Sequence, residues 1–93
     1  MRIGVCELEL FIGSSASLKE KRFVVKSIKD HVRHRFNVSI AEVDHQDKWQ
    51  LAGLGMTTVV TDEKIARHTF DEIFRWIESR GEAEVIKQNV RIL

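Results

Sequence analysis

The chain has 93 residues, of which 43% are hydrophobic and 31% charged, and its formal net charge is +1. Since a chain of this length fills one hydrophobic core, we expect a single domain over residues 1–93. No apolar run approaches the roughly 18 residues that span a bilayer, and a strand-like alternation occupies the place of a signal-peptide core. These patterns predict a cytoplasmic protein that does not associate with a membrane.

The charges are unevenly distributed. Residues 17–35 hold seven basic residues against two acidic ones, a net charge of +5, whereas the rest of the chain holds eight basic against twelve acidic, a net charge of −4. One basic segment in a nearly neutral chain predicts a local anionic partner rather than general attachment to nucleic acid. Cys6 is the only cysteine, which excludes an internal disulfide and a cysteine-based zinc site.

An alternating segment at residues 2–12 begins the chain and predicts a half-buried strand. Glu7 and Glu9 share one face of this strand. A turn at residues 13–16 follows it. The opposite face, which we expect to point to the core, carries Cys6, Leu8, Leu10 and Ile12.

A basic amphipathic helix follows the turn. Ser17 and Glu20 have the spacing of a capping box, in which each side chain accepts a hydrogen bond from the other residue's amide. The helix then runs to about Arg35. Its core-facing residues, at steps of 100° per residue, are Leu18, Val25, Ile28, Val32 and Phe36.

Residues 38–43 alternate again and predict a second strand, with Val38, Ile40 and Glu42 on one side of it. A polar hairpin loop at residues 44–48 leads to a third strand at residues 49–60. Gly53 and Gly55 lie on one face of that strand, which indicates a bulge or a close backbone approach.

The last third of the chain predicts a helix and a strand. Thr61 is the expected N-cap of the helix, Gly81 is its expected C-terminal stop, and residues 82–93 form the last strand. The expected apolar face of this helix consists of Ile65, Ala66, Thr69, Phe70, Ile73, Trp76 and Ile77.

The element order βαββαβ, with right-handed crossovers, predicts an α+β fold of the ferredoxin-like class. In this sandwich a four-stranded antiparallel sheet carries two helices on one face. The other face has no covering element, and beside Glu7 and Glu9 we expect it to carry Ile3, Val5, Ala41, Val43, Leu51 and Val85. Such an apolar face predicts a homodimer, formed through the open sheet face or a sheet edge.

Two motifs, Ser17-Leu18-Lys19-Glu20-Lys21-Arg22 and Phe36–Asp44, resemble those of the small bacterial proteins grouped with YlxP, a domain family of unknown function. The similarity continues through His45-Gln46-Asp47-Lys48-Trp49-Gln50. The resemblance implies a ferredoxin-like fold, and it brings no established activity and no catalytic residues. Members tend to be encoded among translation and ribosome-assembly genes, which favours RNA or ribosomes as a partner by association.

The first helix carries the residues that favour an anionic partner. Its basic residues recur at i, i+4, i+7 and i+11 without an acidic residue on that flank, and an aromatic residue points outward among them. A row of this kind can follow phosphates while the ring stacks on a base. The alternative is the solvated side of an amphipathic helix. The candidate nucleic-acid-binding residues are Lys19, Arg22, Phe23, Lys26, Lys29 and Arg33.

The polar residues Glu42, Asp44, His45 and Asp47 suggest a metal site or acid–base chemistry. Polar residues are also ordinary in a hairpin loop, and no matched partner occurs at a recognisable spacing, so a structural or interface role is favoured. We therefore expect no metal, no cofactor and no catalytic residue. The three helical histidines, His31, His34 and His68, are expected at the surface.

These observations favour a non-enzymatic module that binds ribosomal RNA or the ribosome through the basic helix flank. The alternative is a dimeric protein-interaction module with an acidic protein partner. A small phosphate-directed hydrolase is a third possibility. The sequence disfavours it, because the turn after the first strand has no arginine to hold a phosphate and no nucleophile–base pair is present.

Overall fold

The computed structural model describes all residues from Met1 to Leu93. Four antiparallel strands form one sheet in the order β2-β3-β1-β4, and the two helices pack on one face of it. The ferredoxin-like βαββαβ prediction is confirmed. The elements are β1 (Arg2–Phe11), α1 (Leu18–Arg35), β2 (Ser39–Asp44), β3 (Leu51–Val60), α2 (Glu63–Ser79) and β4 (Glu84–Ile92).

The helix ends show why these segments begin and stop where they do. The Ser17 hydroxyl accepts from the Glu20 amide at 3.1 Å, as predicted, but the Glu20 carboxylate accepts from the Ala16 amide instead of that of Ser17. The N-cap of α2 is Asp62, whose carboxylate accepts from the Lys64 amide at 2.7 Å. The prediction of Thr61 was wrong by one residue, since Thr61 lies too early to reach the free amides of the first turn.

The core lies between the sheet and the two helices. It includes the β1 residues expected there and the centre of both helices. Ile65, expected on the apolar face of α2, is half exposed at the border of that face. The largest fully buried apolar side chains are Phe70, Leu10, Ile12, Ile28, Leu54, Met56, Ile73, Ile77, Val25 and Val32. Neither helix is long and apolar enough to cross a membrane.

A bulge in β4 changes which side chains reach the open sheet face. Lys87 is opposite Glu9 and Val85 is opposite Leu10, so Ile86 is an extra residue between two paired positions. The extra residue reverses the alternation, and Val85 packs against the core. The expectation that Val85 lies on the open face was therefore wrong.

A second bulge lies in β2, where Glu42 is opposite Leu54 and Asp44 is opposite Gly53. A Cβ atom at Gly53 would lie 2.7 Å from the Cβ of Asp44. The prediction of a bulge or close backbone approach at the β3 glycines is confirmed. Beyond α2, Gly81 has a φ of 75° and forms the predicted helix stop.

Candidate nucleic-acid interface and the charged network beside it

The basic flank of α1 (Lys19, Arg22, Lys26, Lys29 and Arg33) lies along one side of the helix, next to the buried face. Four of its five residues are exposed, and Lys29 is half buried. Phe23, which lies among them, has 75% of its surface exposed and is not part of the core. The structure therefore places all six predicted residues together on one helix, with the aromatic ring in solvent.

An acidic residue interrupts this flank. The Asp30 carboxylate lies 2.7 Å from the Lys26 ammonium and 3.7 Å from the Arg33 guanidinium. The hydrogen bond from Lys26, followed by the positive charges of Lys26, Arg33 and Lys29, holds the pKa of Asp30 below its usual value. The expectation that the flank carries a single sign of charge was wrong.

The cations of the flank consequently differ in their availability. Arg33 also donates to the Ile40 carbonyl at 2.9 Å, so its guanidinium holds α1 against β2. Lys19, Arg22 and Lys29 form no ion pair within the chain. The free cations are therefore concentrated on the N-terminal two-thirds of the helix, where Phe23 is exposed.

A charged residue of the same helix is wholly buried. Lys21 has no exposed surface, and its ammonium donates to the His45 carbonyl at 2.7 Å. The same ammonium lies 2.7 Å from a carboxylate oxygen of Glu42, a distance at which the opposite charges compensate each other although the angles are not those of a hydrogen bond. This buried pair joins the two motifs, since Lys21 belongs to the first and Glu42 to the second.

His45 continues the network on the open face of the sheet. Its backbone has a φ of 61°, and its amide donates to the Asp44 carboxylate at 2.8 Å. Its ring nitrogen Nε2 lies 2.8 Å from the Glu9 carboxylate, across Gly53 of the intervening strand β3. Of the side chains that we weighed for metal or acid–base chemistry, Glu42 pairs with Lys21 of α1 and His45 with Glu9 of β1, while Asp47 is exposed in the hairpin loop.

The open sheet face contains two shallow depressions above this hairpin. The larger one, about 500 Å³ in volume, is bordered by the side chains of Glu7, Asp44, Lys87 and Asn89 together with the Glu9–His45 pair. The second has a volume of about 350 Å³ and is mainly apolar. No group of three His, Cys, Asp or Glu side chains is arranged to hold a metal ion.

Two further residues with reactive side chains, Cys6 and His31, are packed against other parts of the protein. Burial raises the pKa of the Cys6 thiol to about 12, so the thiolate nucleophile is scarce at neutral pH. His31 stacks on Trp76 with ring centroids 3.8 Å apart and planes within 1° of parallel. Its Nε2 atom is buried without a hydrogen-bond partner. His31 therefore lies in the contact between α1 and α2 and is partly buried, whereas His34 and His68 are exposed as expected.

Sequence reasoning missed the role of Lys21, although the helix contained a signal for it. Lys21 lies three residues after Leu18 and four before Val25, which places it on the apolar face of α1. A lysine at that position needs a buried counter-charge. Glu42, predicted to share a face with Ile40, is that counter-charge.

Comparisons with known proteins agree with this fold and these motifs. A designed protein with a ferredoxin fold, LFR1 1, superposes with a TM-score of 0.67 at 18% identity, over 98% of this chain and 86% of that one. The structural-genomics protein YJCS has a TM-score of 0.64 at 12% identity, over 96% of both chains. At these identities the likeness concerns the fold alone.

Sequence similarity identifies the family. The uncharacterized protein YlxP of Bacillus subtilis (strain 168) is 38% identical over 82 residues, which cover 88% of this chain and 89% of that protein. Residues 3–90 match the family model described as a protein of unknown function, DUF503. The resemblance predicted from the two motifs is confirmed, and the chain belongs to the DUF503 family.

Proposed function

We propose that the protein is a non-enzymatic module that binds single-stranded RNA, as in an unpaired segment of ribosomal RNA, through the N-terminal part of α1. The observation that carries this proposal is the exposed ring of Phe23. On the helix it has Lys19 four residues before it, Arg22 beside it and Lys26 three residues after it. An exposed aromatic residue with cations at neighbouring helix positions has no role in the core of this fold.

The chemistry of the surface supports a single strand as the ligand. Unpaired bases expose a π-face that can stack on an aromatic ring, and stacking of this kind contributes about 1–3 kcal/mol per base. Lys19, Arg22 and Lys29 have no acidic partner within the chain, so they are available for phosphates. Each phosphate contact adds to an affinity that falls as salt is raised. A duplex would hide its base faces from Phe23.

A binding role rather than catalysis is supported by the condition of the reactive groups. The single thiol is buried and has a raised pKa of about 12. The turn between β1 and α1 contains no arginine to hold a phosphate. The His45 ring contacts the Glu9 carboxylate, and the His45 backbone amide donates to the Asp44 carboxylate.

Charge reversal on the free part of the flank tests the proposal. We expect Arg22→Glu with Lys29→Glu to weaken binding of a labelled single-stranded RNA by at least about tenfold at low salt. The slope of log affinity against log salt should also become shallower. The matched control, Lys64→Glu with Arg75→Glu, makes the same charge change on α2, where neither residue forms an ion pair. Equal losses in the two variants would reject a local site, and so would an absence of binding by the natural chain.

Truncation of the ring separates stacking from charge. Phe23→Ala should weaken RNA binding by about 5- to 150-fold, which corresponds to the loss of about 1–3 kcal/mol of stacking. Its salt slope should remain that of the natural chain, because no phosphate contact is lost. Pull-downs whose protein partners survive nuclease treatment, with no retained RNA, would favour an acidic protein as the partner instead.

A further inference from the structure

The sheet face opposite the helices is apolar at both ends of its two central strands. On this face Ile3 is paired with Val59, and Phe11 with Leu51. Val59 retains 58% of its surface and Phe11 retains 37%. On the side of β2, Val43 retains 56%. Exposed apolar side chains at three corners of one sheet face are unusual for a surface that remains in water.

The centre of the open sheet face is recessed, because glycines without side chains lie there. Gly53 is opposite Glu9 and Gly55 is opposite Glu7, and Ala41 is the neighbour of Gly55 on β2. The two depressions described above lie over these small residues. Their combined shape can accept side chains that project from an opposing surface.

Charged side chains of the face lie on three strands, with Glu7 and Glu9 on β1, Asp44 on β2, and Glu84, Lys87 and Arg91 on β4. Glu7 on β1 forms no ion pair, and Glu9 is already engaged by His45. Lys87 and Arg91 on β4 point to the same face and also form no ion pair, although Lys87 is directly opposite Glu9. The face therefore presents an unpaired acidic group and unpaired basic groups on neighbouring strands.

We propose that a second copy of this chain covers the open sheet face in a twofold dimer, with Glu7 of each copy against Lys87 of the partner subunit. A twofold contact uses the same surface on both copies, so a face carrying both signs of charge can complement itself. A partner of a single sign would place like charges against either Glu7 or Lys87, which is unfavourable at an interface. This dimer does not depend on RNA binding, because α1 lies on the other side of the sheet.

A charge exchange between the two positions tests the dimer and its geometry. Glu7→Lys alone and Lys87→Glu alone each create two like-charge contacts across the twofold axis, and we expect each to weaken dimerisation by at least about tenfold. An equimolar mixture of the two single variants restores opposite charges at both contacts. The double variant E7K/K87E does the same. Light scattering after size-exclusion chromatography and native mass spectrometry measure these states.

Both positions are exposed and form no ion pair within the chain, so the variants should keep the melting temperature of the natural protein at a concentration where all are monomers. A heterodimer in the mixture, with monomers in each separate sample, would support the proposal. A natural chain that stays monomeric at about 100 µM would overturn it. A dimer that survives both single substitutions, or a mixture that does not associate, would also overturn it and would favour pairing along a sheet edge.

Discussion

Lys19 and Lys21 are two residues apart in α1, yet their environments are opposite. Lys19 is exposed and without an ion pair, whereas Lys21 is fully buried against Glu42 and the His45 carbonyl. Two residues correspond to about 200° around a helix, so one ammonium faces the solvent and the other faces the sheet. The comparison shows that the basic composition of a helix does not indicate a binding surface until its structural cations have been separated from its free ones.

The largest predicted effect is a loss of folding stability when the buried cation Lys21 is removed. Lys21→Met should lower the free energy of unfolding by about 3–5 kcal/mol, because it leaves the Glu42 carboxylate buried without a counter-charge and the His45 carbonyl without a donor. Urea denaturation followed by circular dichroism measures this change. The control, Lys19→Met, makes the same substitution at the exposed position and should stay within about 0.5 kcal/mol of the natural chain.

Removing both charges gives a second control on that result. If the cost of Lys21→Met arises mainly from the uncompensated carboxylate, Lys21→Met with Glu42→Leu should recover most of the lost stability. A single variant that loses less than about 1 kcal/mol would show that the pair does not hold α1 on β2. A double variant whose loss equals the sum of the two single losses would show that the two residues act independently.

His31 is a third kind of titratable residue in α1. It is packed against Trp76, and it forms neither an ion pair nor a hydrogen bond through its buried Nε2 atom. Desolvation against Trp76, followed by the positive charges of Arg35, Arg80 and His34, holds the pKa of His31 below its ordinary value of 6.5. The unfolded chain therefore binds a proton more readily than the folded chain does. The stabilising contribution is complete above pH 6.5 and is lost as the pH falls from 6.5 towards the lowered pKa.

His31→Phe should remove this dependence while keeping an aromatic ring against Trp76. The measurement is the unfolding midpoint in urea at pH 7.5 and at pH 5.5. We expect the natural chain to lose more stability between these values than the variant, while His68→Gln, at an exposed position of α2 that is not among the charges acting on His31, should lose nearly as much as the natural chain. Equal losses in the natural chain and His31→Phe would contradict the prediction.

Much of the fold followed from local patterns. The alternation in β1, the apolar face of α1 and the stop at Gly81 depend on neighbours in sequence, and the structure confirms them. Thr61 and Asp62 are both good N-cap residues, so their order alone could not decide between them. The position of Val85 could not be predicted, because the bulge that reverses it exists only relative to the pairing partner on β1.

In the candidate site, too, some contacts were predictable from local spacing and others depended on the topology of the sheet. Lys21 on the apolar arc of its helix and Asp30 four residues after Lys26 were both visible as local spacings. The contact between His45 and Glu9 was not, because it crosses strand β3 and joins residues 36 positions apart. Local spacing could therefore have predicted that Lys26 of the basic flank pairs with Asp30. The identification of Glu42 as the counter-charge of Lys21 required the topology of the sheet.

The smallest predicted effect concerns the acidic residue within the basic flank. The Asp30 carboxylate is ionised at neutral pH, as an aspartate normally is, and it opposes phosphate binding beside Lys26 and Arg33. Asp30→Asn removes that charge, and we expect it to tighten RNA binding by about two- to fivefold, as for a single exposed charge contact. The affinity of a labelled single-stranded RNA, measured by fluorescence anisotropy at two salt concentrations, checks the prediction. Asp71→Asn, an exposed position on α2, is the matched control and should leave the affinity nearly unchanged. Equal effects at the two positions would mean that only net charge matters, and the free cations of α1 would then lose their distinction from those elsewhere on the surface.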